Sequence, residues 1–298
     1  MSFGSCIRED LLTDCICNTQ GQFLYFSYKG DGTSEILTEK IKDVDLYVFD
    51  HEEKLVLSTV VSSDSLEKNH GTRLNLPQGE YTLVALANTG ERTQVSDLET
   101  GDLNMIHFAH PGFFQDDETM LTGNDPNYLG RIQLSVDGEN VGFRDTMNFE
   151  SSHMKVYLEI AGYETITTPG KQGESLTVEM RNMPCRVFFD NRICPQRRNY
   201  YPEIEKQDNK DLYVGQLCTF RLDDKHPAQI ALYAGDSAEP FYTLDVEEFL
   251  KDNPEIDISK QEAELPLRIE IKGKDVSVGV TVPEWSIEDV FPDIDFED

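Results

Sequence analysis

The sequence predicts an all-β protein assembled from β-sandwiches, and three observations predict it. Apolar residues recur at every second position in several separate segments. Helical signals are confined to two short stretches. Turn residues punctuate the chain at short intervals, as they do between the strands of a sandwich. At 298 residues the chain is long enough for two ordinary domains.

QFLYFSY (22–28), DLYVFD (45–50), KLVLSTVV (54–61) and YTLVALA (81–87) are rich in aromatic and β-branched side chains and read as strands of a first domain. Between the first two, SEILTEKI (34–41) has the composition of one short helix. PGFFQDDETMLTGNDPNY (111–128) reads as a long loop. The polar, turn-rich stretch DGENVGFRDTMNFESS (137–152) places a domain boundary near residue 150. Beyond it, Met154, Val156, Leu158 and Ile160 alternate with polar or amphipathic neighbours, as do Leu176, Val178 and Met180. Each such segment has one apolar and one wet face, the pattern of an antiparallel sheet packed on one side. In DVEEFLKDN (245–253), Asp245 and Glu248 have capping-box spacing and Pro254 blocks continuation, so a helix is expected. Leu267, Ile269 and Ile271, then Val276, Val278, Val280 and Val282, flank Gly273-Lys274-Asp275 and read as a hairpin. The last fifteen residues, EWSIEDVFPDIDFED, hold seven acids and no base, with Trp285, Ile287, Val290, Phe291, Ile294 and Phe296 interleaved. Such a tail is solvated, or pairs with a partner.

Fifty-six Asp and Glu stand against 26 Lys and Arg, a formal net charge of −30. That field repels phosphate backbones, which argues against a nucleic-acid partner. No run of about 18 apolar residues is present to span a membrane as a helix. Nor do the motifs of catalysis occur: no G-x-S-x-G, no H-E-x-x-H and no P-loop. Lys29-Gly30-Asp31-Gly32-Thr33 is glycine-rich but reads as a surface turn. Asp116-Asp117-Glu118 and Asp293-x-Asp295 lack EF-hand spacing and read as hydrated surface. The six histidines are scattered without ligand spacing. The expectation is a protein with no catalytic residues, cofactor, metal or small-molecule substrate. Tyr200-Tyr201 could stack on sugars, though in a β-protein such residues more often belong to a core or an edge.

Three of the six cysteines, Cys6, Cys15 and Cys17, crowd the start. Phe3-Gly4-Ser5-Cys6 sets small residues directly before a cysteine, as bacterial lipoprotein signal peptides do at their cleavage site. On that reading Cys6 carries the lipid and MSFG is the stub of a longer signal. Five cysteines remain: Cys15, Cys17, Cys185, Cys194 and Cys218. An odd number leaves at least one free or intermolecular, and the set is a mixture of buried thiols and at most a disulfide or so. C-x-C at Cys15–Cys17 is not the thioredoxin-type C-x-x-C.

The order Cys6, Asp10-Leu11, Cys15, the aromatic strand FLYFSY, then Leu46-Tyr47-Val48-Phe49-Asp50, with a late strand from Val278 ending at Trp285, resembles the fimbrillin-A-associated anchor protein family of Bacteroides-type bacteria. The resemblance implies two tandem transthyretin-like Greek-key β-sandwich domains with short helices. They would occupy residues 21–149 and 150–285, after a lipoprotein stub and stalk (1–20) and before an acidic tail (286–298). It implies a lipid-anchored minor fimbrial subunit at the outer membrane, joined to other fimbrial subunits by β-strand addition and serving in assembly and cell adhesion. It implies no catalysis. In related shaft subunits an arginine-specific protease strips the first strand. Here no arginine lies between Arg8 and Arg73, so the first strand is expected to stay. The competing expectation is a surface lipoprotein that binds glycans on a face of exposed, coplanar aromatics. A secreted hydrolase would need a convergent carboxylate pair in a cleft.

Overall fold

The computed structural model describes residues 22–116, 119–137, 144–165, 175–223, 227–273 and 275–281. Cys6, Cys15, Cys17 and the acidic tail lie outside them.

The first half supplies β1 (Gln22–Ser27), α1 (Leu37–Lys40), β2 (Val44–Asp50), β3 (Leu55–Val61), α2 (Ser63–Asn69), β4 (Gly71–Leu74), β5 (Gly79–Ala87), β6 (Gln94–Val95), β7 (His107–Ala109), β8 (Tyr128–Val136) and β9 (Arg144–Ser151). Hydrogen bonding runs in the order β3-β2-β5-β8-β9-β1-β4. The strand β9 changes partner along its length. Its end, Phe149 to Ser151, pairs with β8, while Arg144 to Asn148 pair with β1. The ribbon thereby turns back on itself. Leu24 and Phe26 of β1 share one core with Leu46 and Val48 of β2 and Leu83 and Ala85 of β5. The result is a sandwich whose two layers are limbs of one hydrogen-bonded sheet.

The second half supplies β10 (His153–Ala161), β11 (Leu176–Pro184), β12 (Arg186–Phe188), β13 (Arg197–Tyr200), β14 (Glu205–Lys206), β15 (Leu212–Phe220), β16 (Gln229–Ala234), β17 (Tyr242–Asp245), α3 (Val246–Asp252), β18 (Glu264–Lys272) and β19 (Asp275–Val280). The sheet β14-β15-β10-β18-β19 faces the sheet β13-β11-β16-β17. The period-two residues expected from sequence fill the gap, Val156, Leu158, Leu267 and Ile269 from one sheet and Val178 and Met180 from the other, where Ile230 and Leu232 of β16 join them. The expected hairpin β18–β19 forms, pairing Ile271 with Val276 and Ile269 with Val278, with Gly273 at φ +65° in its turn. The helix α3 begins where its cap predicts, with the Asp245 carboxylate accepting from Glu248 N at 3.0 Å, worth about 1 kcal/mol.

Several expectations are corrected. Residues 144–151 are a strand, not a polar connection, because Met147 and Phe149 point into the first core while their neighbours stay wet. The sheets are mixed: β1–β9 and β10–β18 pair in parallel. The helix expected over 34–41 is a single turn, and α2 forms where none was expected. The long loop 111–128 is tied to the second half: Leu121 bridges to Tyr200, Asn124 to Cys218, and Leu121 is fully buried in the second core.

A third apolar cluster lies between the halves. Tyr47 and Phe49 of β2 and Val84 and Leu86 of β5 pack against Val187, Phe189 and Phe220. Tyr47 stacks on Phe189 at 5.4 Å. A small sheet in the order β12-β7-β6 spans the junction, with β7 from the first half pairing with β12 from the second.

Candidate functional site

The first strand is an interior strand: β4 pairs with it on one side and β9 on the other. Its buried side chains Leu24 and Phe26 stack on the core, Phe26 edge-on to Phe149 at 5.5 Å. Gly71 of β4 crosses so closely that an added Cβ would lie 2.1 Å from the Leu24 carbonyl oxygen. At its end the Ser27 hydroxyl and Tyr28 N each donate to the Glu35 carboxylate at 2.7 Å.

Just beyond β1 lies the polar junction between the halves. The Glu262 carboxylate accepts from Tyr28 Oη at 2.5 Å, Tyr128 Oη at 3.0 Å and Lys40 Nζ at 2.9 Å. Burial pushes its pKa up, but the bonds from Tyr28, Lys40 and Tyr128 outweigh that and hold it below the ordinary carboxylate value. Beside it, the Asp31 carboxylate accepts from Gln261 N at 2.9 Å, and Gln261 Oε1 accepts from Ser151 N at 2.7 Å. The turn from Lys29 to Thr33 lies at the surface, as read, and through Asp31 it also joins the halves.

The edges differ in protection. The strand β13 is covered, with Tyr201 N donating to Leu121 O at 2.7 Å and Arg198 Nη2 to Thr119 O at 2.8 Å. The strand β17 leads straight into α3, and β14 is two residues long beside the Lys206–Glu164 ion pair. The strand β3 is bare. Among the described residues it pairs only with β2, runs seven residues without charge, proline or glycine, and exposes Val56 at 50% and Val60 at 66%. Natural edge strands usually carry Lys, Pro or brevity against unwanted pairing.

Of the candidate thiols, Cys15 and Cys17 lie outside the described residues, and Cys185, Cys194 and Cys218 are free. Burial pushes the Cys185 and Cys218 thiols up to about 11. They are protonated packing residues, not nucleophiles. Tyr200 is fully buried, its hydroxyl accepting from Asn124 Nδ2 at 2.9 Å, and the Tyr201 hydroxyl donates to Glu179 at 2.9 Å. The pair is not an open stacking face. Sequence reading missed a cationic aromatic surface around Arg186, Phe188 and Phe113. Its signal was available: residues 181–200 hold Arg181, Arg186, Arg192, Arg197 and Arg198 against Asp190 alone, net +4 in a chain of −30.

Comparison with known proteins agrees with this architecture. The family model described as fimbrillin-A associated anchor proteins Mfa1 and Mfa2 matches residues 12–291. Among solved structures, the fimbrial anchor protein Mfa2 from Porphyromonas gingivalis matches at TM-score 0.65 and 12% identity, covering 87% of this chain and 94% of that one. A candidate adhesin from Bacteroides ovatus matches at TM-score 0.70 and 18% identity, covering 89% and 94%. A Bacteroides thetaiotaomicron protein described as a candidate for polysaccharide binding matches at TM-score 0.68 and 16% identity, covering 89% and 99%. At these identities the structures speak for the fold. No curated protein matches the chain. With its model spanning nearly the whole sequence, this chain belongs to the family of the fimbrillin-A associated anchor proteins.

Proposed function

We propose that this protein is a non-catalytic minor subunit of a fimbria, lipidated at Cys6, that anchors or caps the fimbria at the outer membrane. In this reading its two halves are transthyretin-like sandwich domains, and it takes part in assembly and cell adhesion. The family match over residues 12–291 carries the reading.

The surroundings of β1 support a terminal place. A strand held between β4 and β9 fills the groove that a donated strand would need. The connection from β1 to β2 contains Lys29, Lys40 and Lys42 and no arginine at which an arginine-specific protease could cut. With the groove filled, a neighbouring subunit adding a strand must use an existing edge, and among the described edges β3 is the longest free of charge, proline and glycine. The glycan-binding alternative draws on the description of one structural neighbour. The Tyr200-Tyr201 pair gives it no coplanar face.

Intact mass and N-terminal sequencing of protein from native fimbriae test the proposal. A mature species beginning at a lipid-modified Cys6 is expected, and Cys6→Ala in the precursor should release the protein from the outer-membrane fraction. A species beginning between residues 29 and 45 would refute retention of β1. A Cys6→Ala variant that stays lipid-labelled would refute the anchor.

A further inference from the structure

Two arginines of residues 181–200, Arg186 and Arg192, share a surface with aromatic rings. Arg186 and Phe188 lie on β12 and His107 on β7, in the small sheet spanning the two halves. The turn Pro111–Phe114 lays Phe113 and Phe114 beside them. His107 stacks on Phe114 at 5.7 Å, and Phe113 meets Phe114 edge-on at 5.3 Å. The Arg186 guanidinium lies 5.4 Å from the centre of the Phe113 ring and 5.9 Å from that of Phe188, and Arg192 lies 5.2 Å over Phe188 from the other side. All four rings are half-buried.

The charges on this surface are unevenly answered. Arg192 pairs with Asp190 and Arg197 with Asp223. Arg186 donates from Nε to the Cys194 sulfur at 2.8 Å and has no carboxylate partner among the described residues. A guanidinium flanked by aromatic rings is weakly hydrated and binds anions that bring flat apolar groups with them.

The chain contains a segment of that chemistry. Residues 284–298, EWSIEDVFPDIDFED, hold seven acids, no base, and Trp285, Phe291 and Phe296. From the end of the described residues at Thr281, seventeen residues follow to Asp298, a reach of up to about 56 Å if extended. A tethered segment competes at a high effective concentration against untethered copies. We propose that the Arg186–aromatic surface is the receptor for the acidic, aromatic segment 284–298 of the same molecule.

Trp285 is the chain's single tryptophan, so its fluorescence in the full-length protein reads the docking directly. Its emission should be blue-shifted, and acrylamide should quench it several-fold less than it quenches a synthetic 284–298 peptide. Arg186→Glu should bring quenching to the peptide's level. Phe114→Ala, which leaves the charge intact, should do so in part. Arg131→Glu, the same charge change at an exposed site on β8, should leave Trp285 protected. Salt at 0.5 M should loosen the protected state in the wild type, because exposed charge pairs are screened. A wild-type Trp285 quenched like the free peptide would overturn the proposal. So would protection that survives both Arg186→Glu and Phe114→Ala, or protection that vanishes on dilution. An acidic polysaccharide that binds the wild type and not Arg186→Glu, while Trp285 stays unmoved, would assign the surface to another ligand.

Discussion

Replacing Glu262 by Ala should loosen the junction between the halves measurably. The wild-type carboxylate accepts three bonds: from Tyr28 at 2.5 Å, Tyr128 at 3.0 Å and Lys40 at 2.9 Å. Hydrogen bonds to charged groups contribute about 1.5–3 kcal/mol each. The two tyrosines are 1% and 2% exposed, so their hydroxyls would lose an acceptor where water reaches poorly. The Lys40 side chain is 31% exposed and rehydrates, so its share is small. The expected loss is about 3 kcal/mol, read as a urea midpoint lowered by roughly 1 M. Glu262→Gln keeps an acceptor and loses the charge, so about 1 kcal/mol is expected. A double-mutant cycle of Glu262→Ala with Tyr28→Phe should show a coupling of about 0.5 kcal/mol or more. The pH dependence follows from the lowered pKa of Glu262. A carboxylate whose folded pKa lies below its unfolded one stabilises above the unfolded value and loses that contribution as pH falls through the folded value. The gap between wild type and Glu262→Ala should therefore be full at pH 7 and close in acid. A variant within about 0.5 kcal/mol of wild type at pH 7, or strict additivity with Tyr28→Phe, would refute the reasoning.

Three further outcomes are expected. His153 is 2% exposed, and burial pushes its pKa down to about 4 against its bond to Asn127 O. The unfolded chain therefore binds the extra proton between about pH 6.5 and 4, stability should fall through that window by up to about 3 kcal/mol, and His153→Gln should flatten the slope; an unchanged slope counts against the assignment. Val56→Lys with Val60→Lys on β3 should leave the melting temperature within a few degrees and prevent incorporation into fimbriae; normal incorporation would remove β3 as the docking edge. Residues 150–298 expressed alone should unfold cooperatively with a β-type circular dichroism spectrum, at a lower temperature than the whole chain because Val187, Phe189 and Phe220 lose their cover; a molten fragment would refute two separate cores.

The second half was the more legible from sequence. Its strands bury one face each, so Val156, Leu158, Leu267 and Ile269 announce themselves at period two. The capped helix α3 was equally plain, because Asp245 supplies both the stop of β17 and the first bond of the helix. What could not be read was pairing: parallel β1–β9 and β10–β18 bring together residues more than a hundred apart, which no local pattern encodes. The helix α2 buries only Leu66, too little for an amphipathic stripe. The Glu262 junction was hidden among 56 acids, since one carboxylate looks like another until Tyr28 and Tyr128 are seen to converge on it.

The first half carried a subtler signal in the strands that fail to alternate. DLYVFD and YTLVALA are apolar at consecutive positions, a pattern that by itself says only strand. In the structure Leu46 and Val48 face the first core, while Tyr47 and Phe49 face the cluster shared with the second half. Val84 and Leu86 on β5 do the same against Leu83 and Ala85. These two strands are covered on both sides, so alternation is lost for the reason it is lost in any doubly buried sheet. The neighbouring edge strand β3 continues the same sheet, and there the cover ends: Val56 and Val60 stand in solvent where the outer layer stops. A run of consecutive apolar residues thus marked the seam between the halves, and on β3, past the end of that cover, the same face is open to solvent at Val56 and Val60.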